Sequence, residues 1–287
     1  MTIPVIILNY NTHNDCAKCI SFLQRQKGVD LEIIIVDNNS SIDDLTALRV
    51  ICSDTKCTLL ESKENRGYNA GNNIGLRYAA QKGYTYALIA NPDMEFPQEN
   101  YIATLVNTIE QEANAVVVAS DIVTPEGVHQ NPIQRDDNWL SSWAWIYHFF
   151  GYRSTDTYDF IDDYTRSHVC YKVSGCCLLL RIDFLKKIDF FDEGVFLYCE
   201  EAILSKQVEH TGHTMYYTPE VYALHRHIKT KKGNPLFRLQ HWKNSRYYFI
   251  DRYSSYNEWG KLGAKFSFIT YITLLKLYNY WKGFKKQ

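Results

Sequence analysis

Glu64-Asn65-Arg66-Gly67-Tyr68-Asn69-Ala70-Gly71-Asn72-Asn73-Ile74-Gly75 leads into the helix-forming run Leu76 to Lys82. The apolar run Tyr86 to Ala90 follows and ends on Asn91-Pro92-Asp93. Glycines let backbone come close to a ligand, and a helix N-terminus favours negative charge. An acid at the carboxyl end of a strand lies where open α/β sheets bind ligands, and it can hold a metal between phosphates. Together the two stretches predict a site for a nucleotide with a divalent cation.

Upstream, Ile3 to Leu8 is a short β-branched run closed by Asn9-Tyr10-Asn11-Thr12, which predicts a buried strand and a loop. Cys16, Cys19, Ile20 and Leu23 carry a helical spacing from Asp15 toward Gln26, with Gly28 as the stop. Leu31 to Val36 predicts a second strand ending on Asp37-Asn38-Asn39-Ser40, followed by a helix from Ile42 to Ile51 and a strand from Thr58 to Leu60. Strands alternating with helices imply a Rossmann-like α/β fold, a mostly parallel sheet flanked by helices. Asn9, Asp37 and the Asn91/Asp93 pair all fall at strand carboxyl ends. Each alone is explained as a cap or a turn. Three successive strand ends beside a glycine-rich loop predict a site.

Downstream, a helix near Gln98 to Glu112 and a strand Ala115 to Ala119 give way to an irregular stretch, residues 120 to 170. It carries Trp139, Trp143, Trp145, Tyr147, Phe149, Phe150, Tyr152 and acids around Asp159 to Asp163. A segment this long predicts either a cover whose aromatics stack on a sugar, or packing against the sheet edge. Val173 to Arg181 predicts a strand, a short helix begins at Asp183, and Phe191-Asp192-Glu193-Gly194 is a turn. Glu200-Glu201 precedes a helix from Ala202 to Glu209, where the helix dipole alone already favours acids.

The 287 residues suffice for one large α/β domain with an appendage. A net charge of −1 and a pI near 6.7 give no support for nucleic acid as a partner. Eight scattered cysteines, with Cys16-Ala17-Lys18-Cys19 lacking a second pair, predict reduced thiols in a cytoplasmic protein. Met1 to Leu8 lacks the basic start of a signal peptide. The longest charge-free run in the C-terminal segment, Phe266 to Leu275, falls short of the roughly 20 residues a spanning helix needs.

The ordered motifs Val5-Ile6-Ile7-Leu8-Asn9-Tyr10-Asn11, Val36-Asp37-Asn38-Asn39-Ser40, Asn65-Arg66-Gly67 to Gly75 and Asn91-Pro92-Asp93 closely resemble the family 2 glycosyltransferases. Ser174-Gly175-Cys176, Phe191-Asp192-Glu193, Glu200-Glu201 and His225 extend the likeness, which is strongest to the bacterial rhamnosyltransferase-like branch that builds surface polysaccharides. The resemblance covers about residues 1 to 230. It implies a GT-A catalytic domain there and a C-terminal helical extension over 231–287. The implied reaction is inverting transfer from a nucleotide-sugar, dTDP-rhamnose or a UDP-sugar among the candidates, to a saccharide or lipid-linked oligosaccharide.

By the same resemblance, Asn9, Asp37, Asn65, Arg66, Gly67, Asn73 and Asn91 would line the nucleotide pocket, with Arg66 offsetting phosphate charge. Asn91-x-Asp93 resembles a D-x-D motif with its first acid replaced, leaving Asp93 as the main protein ligand for Mn²⁺ or Mg²⁺ and His225 as a second. Glu201 takes the place of the general base, with Gly175 and Glu200 on the acceptor side. A sugar hydroxyl is a poor nucleophile, and a positioned carboxylate can take its proton during attack. Two positions depart from the family pattern: Ile203 stands where an Asp is common, and Gln207 where an Arg is. These departures support the alternative of a non-catalytic nucleotide- or glycan-binding scaffold. A sugar-phosphate nucleotidyltransferase would instead carry a glycine-rich basic loop after the first strand, where this chain has Asn9-Tyr10-Asn11-Thr12.

Between Asn257 and Lys286, Leu262, Phe266, Ile269, Ile272 and Leu275 recur at helical steps among lysines. That pattern predicts an amphipathic helix, either lying in the interface at the inner face of a membrane or packed on the catalytic domain or in a homodimer.

Overall fold

A computed structural model describes residues 1–135, 139–143, 145–146, 161–226 and 235–284. The strands are β1 (Thr2–Asn9), β2 (Asp30–Asp37), β3 (Thr58–Glu61), β4 (Tyr86–Ala90), β5 (Met94–Glu95), β6 (Ala115–Val123), β7 (His168–Cys170), β8 (Cys177–Arg181) and β9 (Thr214–His225). The helices are α1 (His13–Leu23), α2 (Ile42–Thr55), α3 (Tyr68–Gln81), α4 (Tyr101–Gln111), α5 (Ile182–Lys187), α6 (Glu200–His210), α7 (Pro235–Arg252) and α8 (Glu258–Phe284).

The strands form one sheet in the order β3-β2-β1-β4-β8-β6-β9-β5, with β7 pairing β9. From β3 to β4 it is parallel, as the alternation of strands and helices predicts. Beyond β4 it is mixed, because β8 runs antiparallel to both β4 and β6. An apolar run such as Leu178-Leu179-Leu180 marks a buried strand without marking its direction.

Successive side chains of a strand point to opposite faces. Ile3, Val5 and Ile7 of β1 therefore enter a core with Cys16, Ile20 and Leu105 from α1 and α4. Ile6 enters the other core with Ile34, Leu76, Leu180 and Leu204, beneath α3 and α6. All of these are essentially inaccessible, and each such side chain contributes on the order of 1.5–3 kcal/mol on burial.

The glycine-asparagine stretch departs from its expected form. It is helical from Tyr68 onward rather than a loop ahead of Leu76. A Cβ on Gly71 would lie 2.4 Å from Leu8 Cδ1, and one on Gly75 would lie 2.5 Å from Ile6 Cγ2. These two glycines let α3 settle onto β1, and tertiary packing overrides their poor helix propensity. Only Gly67, the N-cap, serves the backbone geometry of the loop, with φ of +97°.

The C-terminal helices are fused to the α/β body. Phe249 of α7 joins Val195, Ala202 and Ile203 in one cluster, and Ala264 and Phe268 of α8 pack on Ile250 of α7. The tryptophans expected over the rim or the sheet edge pack on α8 instead. Trp143 lies 6.1 Å from Phe266 between ring centroids, and Trp145 Nε1 donates to Ser267 Oγ at 2.8 Å. Tyr147, Phe149, Phe150, Tyr152 and Asp159 lie outside the described residues. All eight cysteines are free thiols, and burial pushes those of Cys16 and Cys19 well up.

Candidate active site

The carboxyl ends of β1 and β2 are locked together. Asn9, fully buried, donates through Nδ2 to Asp37 Oδ1 at 2.9 Å and Asp44 Oδ2 at 2.8 Å. Its Oδ1 accepts from Thr12 N at 3.1 Å, and Asp37 Oδ2 accepts from Ser40 N at 3.1 Å. Burial alone would raise the Asp44 carboxyl, but the bonds from Asn9 and His13 outweigh it and hold that carboxyl low. Asn9 and Asp37, expected to meet the nucleotide, thus spend these atoms on shaping the loops that follow the two strands.

Asn38 is the residue that sequence reasoning missed. It is buried, and its Nδ2 donates to Asn65 Oδ1 at 3.0 Å and to the Gly67 carbonyl at 3.2 Å. Asn65 Oδ1 also accepts from Gly67 N at 3.0 Å, so the loop before α3 closes on itself. The remaining Asn38 oxygen is buried without a hydrogen-bond partner. Its only sequence signal was membership of the polar run at the end of β2.

Asn38 lines a cavity of about 260 Å³ with Lys63, Arg66, Asn73, Arg77 and Glu193. Arg66 Nη2 meets Glu193 Oε2 at 3.0 Å, and Arg77 Nη2 meets Glu193 Oε1 at 3.5 Å. Arg66 keeps more than half of its side chain exposed, so a phosphate can compete with Glu193 for it. Asn73 borders the cavity, yet its amide is committed. It donates to the Phe191 carbonyl at 2.8 Å and Glu193 Oε1 at 2.9 Å, and accepts from Phe191 N at 3.0 Å. These bonds pin the Phe191–Glu193 turn to α3.

Asp93 and His225 meet as expected. The two-residue β5 pairs with the end of β9, Met94 opposite His225, and Asp93 Oδ2 stands 3.4 Å from His225 Nε2. His225 Nδ1 bonds Gln130 Oε1 at 2.9 Å, which orients the ring. Among the described residues there is no group of three or more His, Cys, Asp or Glu able to hold a metal ion. A carboxylate and an imidazole this close fit a divalent ion that draws its other ligands from phosphate and water.

The acid pair opens α6. Tyr198 and Cys199, with φ of +73° and +67°, are two consecutive non-glycine residues in the left-handed region. Such residues cost on the order of 1–3 kcal/mol each and persist only when their surroundings fix them. The surroundings here come from α7. Tyr248 OH donates to both Asp192 carboxylate oxygens at 2.9 Å, Tyr253 OH also donates to Asp192, and Ser245 Oγ donates to the Leu197 carbonyl at 2.7 Å.

Within this pair, Gly175 N donates to Glu201 Oε1 at 3.4 Å. Burial, then the neighbouring Glu201, pushes the Glu200 carboxyl up to about 7, and Glu200 Oε2 is buried without a partner. Ile203 is fully buried against Val195 and Phe249, and Gln207 Nε2 donates to the Phe190 carbonyl at 3.4 Å. Ile203 is thereby absorbed into packing, whereas Gln207 Oε1 is buried without a hydrogen-bond partner.

One loop ties the two halves of the site together. Asn91 N donates to the Cys176 carbonyl at 2.8 Å, while the adjoining Gly175 meets Glu201 and accepts from Tyr68 OH at 2.6 Å. The Gly175-Cys176 segment thus links the Asp93 loop, the start of α3 and the acid pair.

Known proteins resemble this chain in sequence and in fold. A hexosyltransferase of low-salt glycan biosynthesis from Haloferax volcanii, Agl10, is 29% identical over 203 residues, 69% of this chain and 59% of that protein. The chain spans under two thirds of that relative's length. A mannosyltransferase from Pyrobaculum calidifontis, solved with GDP-Man and Mn²⁺, superposes with a TM-score of 0.60 at 15% identity, over 92% of this chain and 69% of that one. GalNAc-T7, solved with UDP, GalNAc and Mn²⁺, gives 0.62 at 14% identity, over 88% and 49%. These two likenesses show a shared GT-A fold. The family model described as Glycosyl transferase family 2 matches residues 5–188, most of the α/β body, and the chain belongs to that family.

Proposed function

We propose that the chain is an inverting hexosyltransferase. It moves a sugar from a nucleotide-diphosphate donor to a hydroxyl of a saccharide acceptor in surface-glycan synthesis, at the cytoplasmic face of the membrane. The observation that carries this reading is the Gly175-Cys176 segment, bonded to the Asp93 loop through the Cys176 carbonyl and to Glu201 through the Gly175 amide. The relative's role in glycan biosynthesis and the Mn²⁺ and nucleotides of the solved structures add support.

In this proposal Asp93 and His225 hold Mn²⁺ or Mg²⁺, which would offset charge on the departing diphosphate. Arg66 exchanges Glu193 for phosphate, and Asn38 and Asn65 border the nucleotide. The Gly175 amide occupies Glu201 Oε1, leaving Oε2 to take the proton of the acceptor hydroxyl. Burial, and then Glu201, raises the Glu200 carboxyl to about 7, which reduces the like charge beside Glu201 near neutral pH. Attack opposite the leaving group inverts the anomeric carbon in one step.

The deciding experiment compares wild type with Glu201→Gln in calorimetric titration of UDP, dTDP and GDP with Mn²⁺, and in transfer assays. Nucleotide binding stays intact while transfer falls at least about a hundredfold, the usual worth of a positioned base. Near-normal transfer by Glu201→Gln removes it as the base. Absence of metal-dependent binding for all three nucleotides removes the transferase reading.

A further inference from the structure

Helix α8 presents two unlike faces. Gly260, Ala264, Ser267 and Phe268 are buried against the tryptophan segment and α7. On the opposite side, Trp259 is 82% exposed, Leu262 60%, Phe266 62%, Ile269 50% and Leu277 53%. These five recur at helical steps along one line, and each stays at least half exposed, Trp143 touching only the edge of the stripe at Phe266. Single exposed apolar residues are ordinary, but a continuous stripe marks an interaction surface.

Charge names the partner. The 61 residues from His227 to Gln287 hold thirteen lysines and arginines against two acids, while the 226 residues before them hold eighteen against thirty. Lys261, Lys265 and Lys276 follow one another along the same flank of the apolar stripe; Lys261 pairs with Glu258, the single acid on the helix, and Lys265 with Asp251 of α7, so the excess of cations over the whole C-terminal segment carries the attraction. An apolar stripe edged by lysine, with tryptophan at its end, is the makeup of a helix that lies in the plane of a bilayer interface. Two copies joined on this face would bring two lysine rows together. None of the described helices is long and apolar enough to cross a membrane.

We propose that α8 docks the protein on a membrane surface bearing anionic headgroups, with Trp259, Leu262, Phe266 and Ile269 inserted at the acyl boundary. Because α8 packs on α7, and α7 bonds Asp192 and Leu197, docking fixes the height and tilt of the acid pair relative to that surface. The inference does not depend on the transferase reading.

The test is flotation of the full chain with vesicles of phosphatidylcholine alone and with added phosphatidylglycerol, at low and high salt. Binding to the phosphatidylglycerol vesicles, weakened by salt, is expected. Leu262→Glu/Ile269→Glu changes two exposed side chains and lowers partitioning by about a hundredfold or more, with an unchanged melting curve. If that pair disturbs folding, Leu262→Ser/Ile269→Ser replaces it with the same expected direction. No flotation with phosphatidylglycerol vesicles overturns the proposal, as does flotation that a folded double variant leaves unchanged. A concentration-dependent dimer abolished by the same substitutions, without vesicle binding, assigns the face to a second copy.

Discussion

Glu200→Gln tests the acid pair through stability rather than turnover. Glu200 in the folded protein is pushed from 4.5 up to about 7, by burial first and Glu201 second. The raised value gives the linkage its sign. The folded state holds a proton that the unfolded state has lost, so the group's contribution is fully present below pH 4.5 and is lost as pH rises through 7. At 1.36 kcal/mol per pKa unit, wild type loses roughly 2–3 kcal/mol from this group between about pH 5 and about pH 8.5. Glutamine keeps the shape and cannot ionise. Any cost of burying its amide is the same at both pH values and cancels in the difference. Urea unfolding of both proteins at the two pH values yields that difference directly. Superimposable pH dependence of the two proteins would refute a buried, proton-holding Glu200.

Asp93→Asn should abolish the Mn²⁺-dependent part of nucleotide binding in calorimetry, while metal-free binding and the melting temperature stay near wild type. Gly67→Ala forces φ of +97° on a residue whose new Cβ would lie 2.1 Å from the Phe196 carbonyl oxygen. Urea unfolding should show a loss of about 2 kcal/mol or more, and stability within error of wild type counts against the geometry drawn for this loop. Tyr248→Phe and Tyr253→Phe each remove a bond to the Asp192 carboxylate, a loss of about 1.5–3 kcal/mol each. Transfer should fall while nucleotide affinity holds, because what slackens is the segment that delivers Glu201.

The strand ends were legible in the sequence because a short β-branched run followed by Asn or Asp has few other readings. β1, β2 and β4 all end where their polar residues stand. Asp93 and His225 were also brought together as expected. The role of Gly71 and Gly75 was hidden, since glycine marks close backbone approach without saying to what, and here the neighbours are Leu8 and Ile6. The direction of β8 was hidden for the corresponding reason: apolar content carries no polarity. Trp139, Trp143 and Trp145 read equally well as sugar platforms or as packing, and only the fold shows α8 beneath them. For Asn9, Asp37 and Asn73, a sequence cannot show whether a polar side chain faces a ligand or its own scaffold, and the bonds these three make are to the scaffold.

The junction of β5 with β9 has a consequence for the order of events during synthesis. Asp93 is made early and His225 late, and they become neighbours only when a two-residue strand finds the end of the last one. Few contacts hold that junction, and closing so long a stretch of chain is entropically costly. If both residues hold an ion as proposed, that ion would favour the finished sheet over every partly assembled chain, by mass action. A ribosome-bound chain still short of His225 has no such pair to offer, so metal capture would follow completion of the fold and report on it.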